Sequence, residues 1–257
     1  PYIVQHYGII GKPLGHSFSE KYFTAKFASE AFDATYCPFP IDTISTVKEL
    51  LQDLDGFNVT YPYKEAIIPY LDDIDPTAKT IGAVNVVANG KGYNSDWIGF
   101  RDSLTSWLAF TEIPITSHRA LLLGTGGVSK AIQYALKEMG VEWTVVSRQQ
   151  SCSLEDASLQ VRDERRKVIG YEEVDEQVIR EHRIIVNCTP LGMHPYENEY
   201  PNIPYEYLSK EHLLYDCIYN PERTLFLQKG EKMGCQVKNG LEMLHRQADE
   251  AWGVFRV

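Results

Sequence analysis

Residues 121–136, LLLGTGGVSKAIQYAL, do most to limit what this chain can fold into. Three apolar strand residues run into Gly124, Gly126 and Gly127, and a helix follows. Glycines at such a turn let the backbone bend tightly and approach a pyrophosphate, which rests on the amides of the helix N-terminus. Ser129 stands at the third position of the usual G-x-G-x-x-G spacing. The inference of a dinucleotide site therefore rests on the strand–turn–helix context more than on the motif. The next strand, in VEWTVVSR, ends on Ser147 and Arg148 with no carboxylate. NAD-binding chains usually place Asp or Glu there for the ribose hydroxyls, whereas an arginine accommodates a 2′-phosphate. The expected cofactor is NADP(H).

Strand and helix signals alternate through the rest of the chain. YGIIG reads as a strand, residues 19–31 as a helix with Phe23, Phe27 and Ala31 on one face, and TYCPFPI as a strand whose prolines suit a sheet edge. ISTVKELLQDL reads as a helix, GFNVT as a strand, KEAIIPYL as a short helix, and GAVNVVANGKGYNSD as two strands joined at Asn89–Gly92. WIGFRDSLTSWLAF is a further helix, RIIVNCTPLGM and LLYDCIYNP are strands running into loops, and LEMLHRQADEAWGVF is a closing helix. Residues 151–180 are polar and charged, and HPYENEYPNIPYEYL reads as a surface loop. This is α/β ordering, which predicts an open, mainly parallel sheet covered on both faces.

At 257 residues the chain predicts two domains. The expected division is a substrate domain over 1–100, a Rossmann-like NADP-binding domain over 101–239, and a helix over 240–257 packing back on the first. A net charge of −10 argues against a nucleic-acid partner, which needs clustered positive charge. No apolar run approaches the roughly 20 residues needed to span a bilayer, and PYIVQHYGIIG lacks the pattern of a secretory signal. Cys37, Cys152, Cys188, Cys217 and Cys235 are scattered, with no C-x-x-C pair, which fits the cytoplasm. The seven histidines show no metal-ligand spacing, so no metal is expected.

In GFNVTYPYKEA a strand ends and delivers one ammonium group, Lys64, to the point where the chain leaves the sheet. Asp96, in GYNSDWIGF, likewise follows a strand and precedes a helix. Ligands of open α/β sheets bind beyond the carboxyl ends of the strands, which makes both residues candidates for one site.

GKPLGHSFS, NVTYPYK, GAVNVV, YNSDWIGF, GTGGVSKA, NCTPLGM, DCIYNP and NGLEMLHRQ occur in this order. Together they resemble the shikimate dehydrogenase family, from Gly8 to about Gln247. The resemblance implies reversible NADPH-dependent reduction of 3-dehydroshikimate to shikimate, in aromatic amino-acid biosynthesis. It implies that Ser17 and Ser19 hold the substrate carboxylate and that Thr60, Lys64, Asn85 and Asp96 bind the ring hydroxyls and the reacting oxygen. Gln247 would reach the substrate from the closing helix, and Tyr219 would add a hydroxyl. For the cofactor it implies Gly124, Thr125, Gly126, Gly127 and Val128 around the pyrophosphate, with Ser147 and Arg148 at the 2′-phosphate. Thr189, Cys217 and Gly240 would lie near the nicotinamide. Lys64 would be the acid–base group and Asp96 its orienting partner.

Three positions depart from the family pattern: Glu20 replaces a proline, Ser95 a threonine, and Gln149 the threonine of the usual NADP motif. The alternatives are a quinate/shikimate dehydrogenase using NAD or both cofactors, and a catalytically silent ligand-binding homologue. The expected partner is a small molecule alone, with the protein a monomer or homodimer.

Overall fold

A computed structural model describes residues 4–14, 18–109, 115–148 and 166–256. The chain forms two compact units, residues 1–95 with 247–257, and residues 96–246. In the first unit, β1 (Gln5–Gly11) pairs in parallel with β2 (Ala34–Pro40) on one side and β3 (Gly56–Val59) on the other. β4 (Asp73–Ile74), β5 (Val86–Ala88) and β6 (Lys91–Tyr93) complete a six-stranded sheet in the order β2-β1-β3-β5-β6-β4. Pro38 and Pro40, which cannot donate to a ladder, lie in β2 at the sheet edge. Asn89 (φ 50°) and Gly90 (φ 73°) supply the two positive φ angles that a tight β5–β6 hairpin needs.

α1 (Phe18–Ser29), α2 (Val47–Asp53) and α3 (Pro76–Ile81) belong to this unit. Side chains alternate across the sheet with a period of two. Tyr7, Ile9, Val86 and Ala88 join the cluster of Phe23 and Phe27, while Ile10 and Val87 join that of Val47, Phe57 and Ala78.

In the second unit, α4 (Asp96–Leu108) precedes β7 (Arg119–Leu123), α5 (Gly127–Glu138), β8 (Glu142–Ser147), β9 (Arg166–Gly170) and α6 (Glu176–Glu181). β10 (Ile184–Asn187), β11 (Leu213–Asp216), α7 (Leu225–Lys232) and β12 (Gln236–Lys238) follow. All strand pairs are parallel and the order is β12-β11-β10-β7-β8-β9. That is the Rossmann order, with its reversal between β7 and β10. Leu122, Val145 and Val186 face one cluster, and Leu121, Leu123, Val146 and Ile185 the other, so both faces are buried.

Several local expectations are corrected. KEAIIPYL is a run of turns closing in a 3₁₀ helix at Ile68–Tyr70, where Pro69 lacks an amide to donate. α1 ends at Ser29, and Ala31 is an exposed residue at φ 51° outside it. Residues 149–165, which include the start of the polar stretch, lie outside the described residues, while 166–170 form β9. The sequence reading placed no element at β4, α3, α7 or β12. α3 carries clear end signals: Asp75 Oδ2 accepts from the amides of Thr77 (2.9 Å) and Ala78 (3.4 Å), Pro76 opens the helix, and Gly82 closes it at φ 73°.

The closing helix, α8 (Leu241–Phe255), belongs to the first unit from Gln247 onward. Ala248, Ala251, Trp252 and Phe255 pack into the first unit's aromatic cluster, with the Phe255 ring 4.8 Å from Tyr7 and 5.4 Å from Phe23. Trp252 Nε1 donates to Glu30, and Tyr22 Oη donates to Asp249. Phe255→Ala should therefore lower stability by about 3–5 kcal/mol in urea unfolding, as expected for an aromatic core truncation.

Candidate active site

The first unit gathers polar side chains where its strands end. Thr60 follows β3, with its amide on Ile10 O (2.9 Å) and its methyl where a Cβ on Gly11 would sit (2.3 Å away). Glycine at 11 is thus what admits Thr60 there. Lys64 is half-buried, and its carbonyl accepts from Val84 N at 2.7 Å, one residue before Asn85. The Asn85 carbonyl accepts from Val59 N at 2.9 Å. Thr60, Lys64 and Asn85 are therefore held together through the backbone.

Asn85 is buried with Ser95 and Gln247. Asn85 Oδ1 accepts from Ser95 N (2.7 Å), and its Nδ2 donates to Ser95 Oγ (2.9 Å) and Gln247 Oε1 (3.3 Å). Ser95 Oγ also donates to Gln247 Oε1 (3.3 Å). Three polar side chains thus satisfy one another away from water, which fixes their orientation.

Ser19, buried on α1, hydrogen-bonds Tyr36, whose hydroxyl donates to Asn58 Oδ1 at 2.7 Å. Asn58 Nδ2 donates to Asn85 O at 3.4 Å. Tyr36 and Asn58 connect two of the expected substrate residues, and the sequence reading identified neither. Burial pushes the Tyr36 hydroxyl well above its ordinary range, the Ser19 hydrogen bond opposing, so it acts as a fixed neutral donor. Ser17 lies outside the described residues.

In the second unit β7 and β10 pair in parallel, so the loops after them start side by side at the reversal of strand order. Gly124 adopts φ +110°, and a Cβ there would lie 3.0 Å from Thr189 Cγ2. Thr125 and Gly126 are exposed, a Cβ on Gly126 would meet nothing within 4 Å, and α5 begins with no side chain capping it. Gly127 and Val128 open that helix. An open glycine turn feeding an uncapped helix N-terminus fits a pyrophosphate. Ser129 is fully buried and takes a hydrogen bond from Gln133 Nε2 at 3.4 Å, so the third motif position packs the helix. β8 ends at the buried Ser147, and Arg148 is exposed, its charge acting on the Tyr171 phenol. Together the donor set suits NADP(H): amides for the pyrophosphate and a guanidinium for a 2′-phosphate.

Thr189 hydrogen-bonds Asn187 Oδ1 through its amide (3.0 Å) and hydroxyl (2.7 Å). Cys217 follows β11, its amide on Asn187 O at 3.1 Å. A hydrogen bond with Cys188 and burial push its thiol well up, with smaller contributions from Asp216 and from Asp96 at the start of α4. Tyr219 is half-buried, and burial raises its phenol. A Cβ on Gly240 would lie 2.2 Å from Cys217 O and 3.2 Å from Asp216 O. Asn187 and Asp216, which organise these loops, open the motifs NCTPLGM and DCIYNP but were given no role from the sequence; each is a polar residue closing an apolar strand.

A parallel sheet in this order, with a glycine turn at its reversal, places the second unit in the Rossmann-type class of dinucleotide-binding folds. Residues 9–87 match the shikimate dehydrogenase substrate binding domain. A shikimate dehydrogenase (NADP(+)) from Caldanaerobacter subterraneus subsp. tengcongensis is 36% identical over 96% of this chain and 89% of its own. The solved shikimate 5-dehydrogenase of Thermus thermophilus, in complex with NADP(H) and shikimate, is 29% identical, with a TM-score of 0.82 over 98% of this chain and 93% of its own. Quinate dehydrogenase from Corynebacterium glutamicum, in complex with NAD, is 27% identical at the same TM-score, with 98% and 93% covered. The chain belongs to the shikimate dehydrogenase family.

Because Gly240 has no room for a side chain, Gly240→Ala should displace the Asp216–Cys217 backbone. The expected loss is about 1–3 kcal/mol of stability, the range for overpacking, with weaker NADP⁺ binding; unfolding and calorimetry check both.

Proposed function

We propose that this protein catalyses the reversible NADPH-dependent reduction of 3-dehydroshikimate to shikimate. The observation that carries the reading is the backbone-linked set of Thr60, Lys64 and Asn85, with Asn85 locked to Gln247 in the buried hydrogen-bond group. Ser17, Ser19, Thr60, Asn85, Asp96, Tyr219 and Gln247 bind the substrate, the serine hydroxyls at its carboxylate and the amides at its ring hydroxyls. Gly124, Thr125, Gly126, Gly127 and Val128 hold the pyrophosphate, Ser147 and Arg148 the 2′-phosphate, and Thr189, Cys217 and Gly240 flank the nicotinamide. The bound cofactor supplies the hydride.

Lys64 supplies the proton: its ammonium donates to the substrate oxygen as negative charge develops there, and takes the proton back in the oxidation direction. Asp96 orients Lys64 and one substrate hydroxyl. No described helix is long and apolar enough to cross a membrane, and Cys37, Cys188, Cys217 and Cys235 are free, which supports a reducing compartment such as the cytoplasm. A second reading, quinate/shikimate dehydrogenase with NAD or both cofactors, draws support from the likeness to the NAD-bound quinate dehydrogenase.

Absorbance of the reduced nicotinamide separates the two readings. Shikimate with NADP⁺ should give rapid turnover, and NAD⁺ or quinate little; comparable rates with either would favour the second reading, and no turnover with any pair would overturn both. Lys64→Ala should cut kcat by roughly 10²–10⁴, the range for one acid–base group, with a much smaller change in shikimate binding. Arg148→Ala should weaken NADP⁺ binding by about 10–100-fold, as expected for lost hydrogen bonds to a charged group, and leave NAD⁺ binding nearly unchanged.

A further inference from the structure

Asp216 is a fully buried carboxylate at the end of β11, and the mechanism above gives it no role. Three donors from three segments converge on it. Asn187 Nδ2, at the end of β10, donates to Oδ1 at 3.1 Å, and the Ile218 amide donates to the same oxygen at 3.0 Å. Thr224 Oγ1 donates to Oδ2 at 2.6 Å while accepting from Leu227 N (3.4 Å) as the cap of α7. The carboxylate therefore ties together the end of β10, the segment after β11 and the start of α7.

The ties run outward to the residues placed around the cofactor. Asn187 Oδ1 holds the amide and hydroxyl of Thr189, and Asn187 Nδ2 also donates to Leu191 O at 3.1 Å. Thr189 in turn touches the position a Cβ on Gly124 would take, at 3.0 Å. On the other side, Ile218 lies between Cys217 and Tyr219. Gly192, at φ +113°, completes the junction, since a Cβ there would be 3.1 Å from Thr224 Cβ. One buried anion accepting from three donors is a strong geometric constraint, because hydrogen bonds to a charged acceptor exceed neutral ones.

We infer that Asp216 is a positioning residue for the dinucleotide: through Asn187 and the Ile218 amide it sets the Thr189 loop and the Cys217–Tyr219 segment at the spacing the nicotinamide half requires. This rests on the cofactor assignment above. It also has a pH signature. Burial raises the Asp216 carboxyl to about 6, against three opposing hydrogen bonds, and the titratable groups influenced by it are Tyr205, pushed up mainly by burial, and Cys217, pushed up mainly by its hydrogen bond with Cys188 and by burial. A carboxyl raised in the folded state adds stability that is fully present below its unfolded value near 3.8 and is lost as pH rises through about 6. Acid therefore favours the fold at this group, yet it removes the charge that orders the two loops. The contribution of Asp216 to cofactor affinity and its contribution to stability run in opposite directions below pH 6.

Calorimetric titration of NADP⁺ into the substrate-free protein tests this, with thermal unfolding of the same samples. Asp216→Ala should weaken NADP⁺ binding about tenfold or more at pH 7.5, the equivalent of one lost charge-assisted hydrogen bond. Asp216→Asn keeps an acceptor for Asn187 and Ile218 and turns its amide toward Thr224 but lacks the charge, so it should recover only part of that loss. The 2′-phosphate of NADP⁺ titrates in the same range, so D216N is the reference: between pH 7 and pH 5 the wild type should lose more affinity than D216N while gaining stability relative to it. NADP⁺ affinity in D216A within twofold of wild type, or D216N as weak as D216A, would overturn the inference. If D216A does not fold, Thr224→Val, which removes one donor, should still weaken binding measurably; unchanged affinity there overturns it equally. A wild type that binds no NADP⁺ would instead fail the cofactor assignment itself.

Discussion

Parallel strand pairing is the constraint from which the rest of this molecule follows. Strands that run the same way all end at the same edge, so every loop leaving a carboxyl end is delivered to one rim. In the second unit that rim carries the glycine turn after β7, Arg148 after β8, Thr189 after β10 and Cys217 after β11. The reversal of order between β7 and β10 opens the rim at the glycine turn, where Gly124 and Thr189 meet. In the first unit the parallel β1–β3 pair places Thr60 at such an edge, with Lys64 and Asn85 tied in by backbone hydrogen bonds.

What the edge presents is fixed by buried polar networks rather than by the sheet alone. Asn85, Ser95 and Gln247 satisfy one another out of water, as do Asn187, Asp216 and Thr224. Each network spans segments distant in sequence: α8 is tied to β5 in the first, and β10 to α7 in the second. Losing one member leaves the others with unmet donors or acceptors, which in a buried setting costs more than the hydrogen bond contributes. Orientation for chemistry and integrity of the fold are for this reason carried by the same groups.

Features built from neighbouring residues could be read in the sequence. The β7–α5–β8 unit, the Asn89–Gly90 hairpin and the closing helix each carry their own pattern of apolar period, glycine and turn residues. α3 carried the same kind of signal in Asp75, Pro76 and Gly82, which the sequence reading passed over. The stretch after Lys64 misled because its apolar residues mimic a helix, while Pro69 and the hydrogen bond from Val84 to Lys64 favour turns. Asn58, Tyr36, Asn187 and Asp216 were not legible. Their roles arise only when strand register brings Asn187 opposite Asp216, or when Tyr36 and Asn58 meet across the sheet, and no local pattern encodes that.

A nicotinamide held at the glycine turn and Arg148 would supply the hydride to the substrate carbon, and Lys64 would manage the proton. Shikimate deuterated at the carbon bearing the reacting hydroxyl, incubated with NADP⁺ and the protein, tests this by mass spectrometry of the reduced cofactor. The account predicts that the deuterium is recovered in NADPH. Unlabelled NADPH, with the deuterium lost to water, or no NADPH at all, would contradict it.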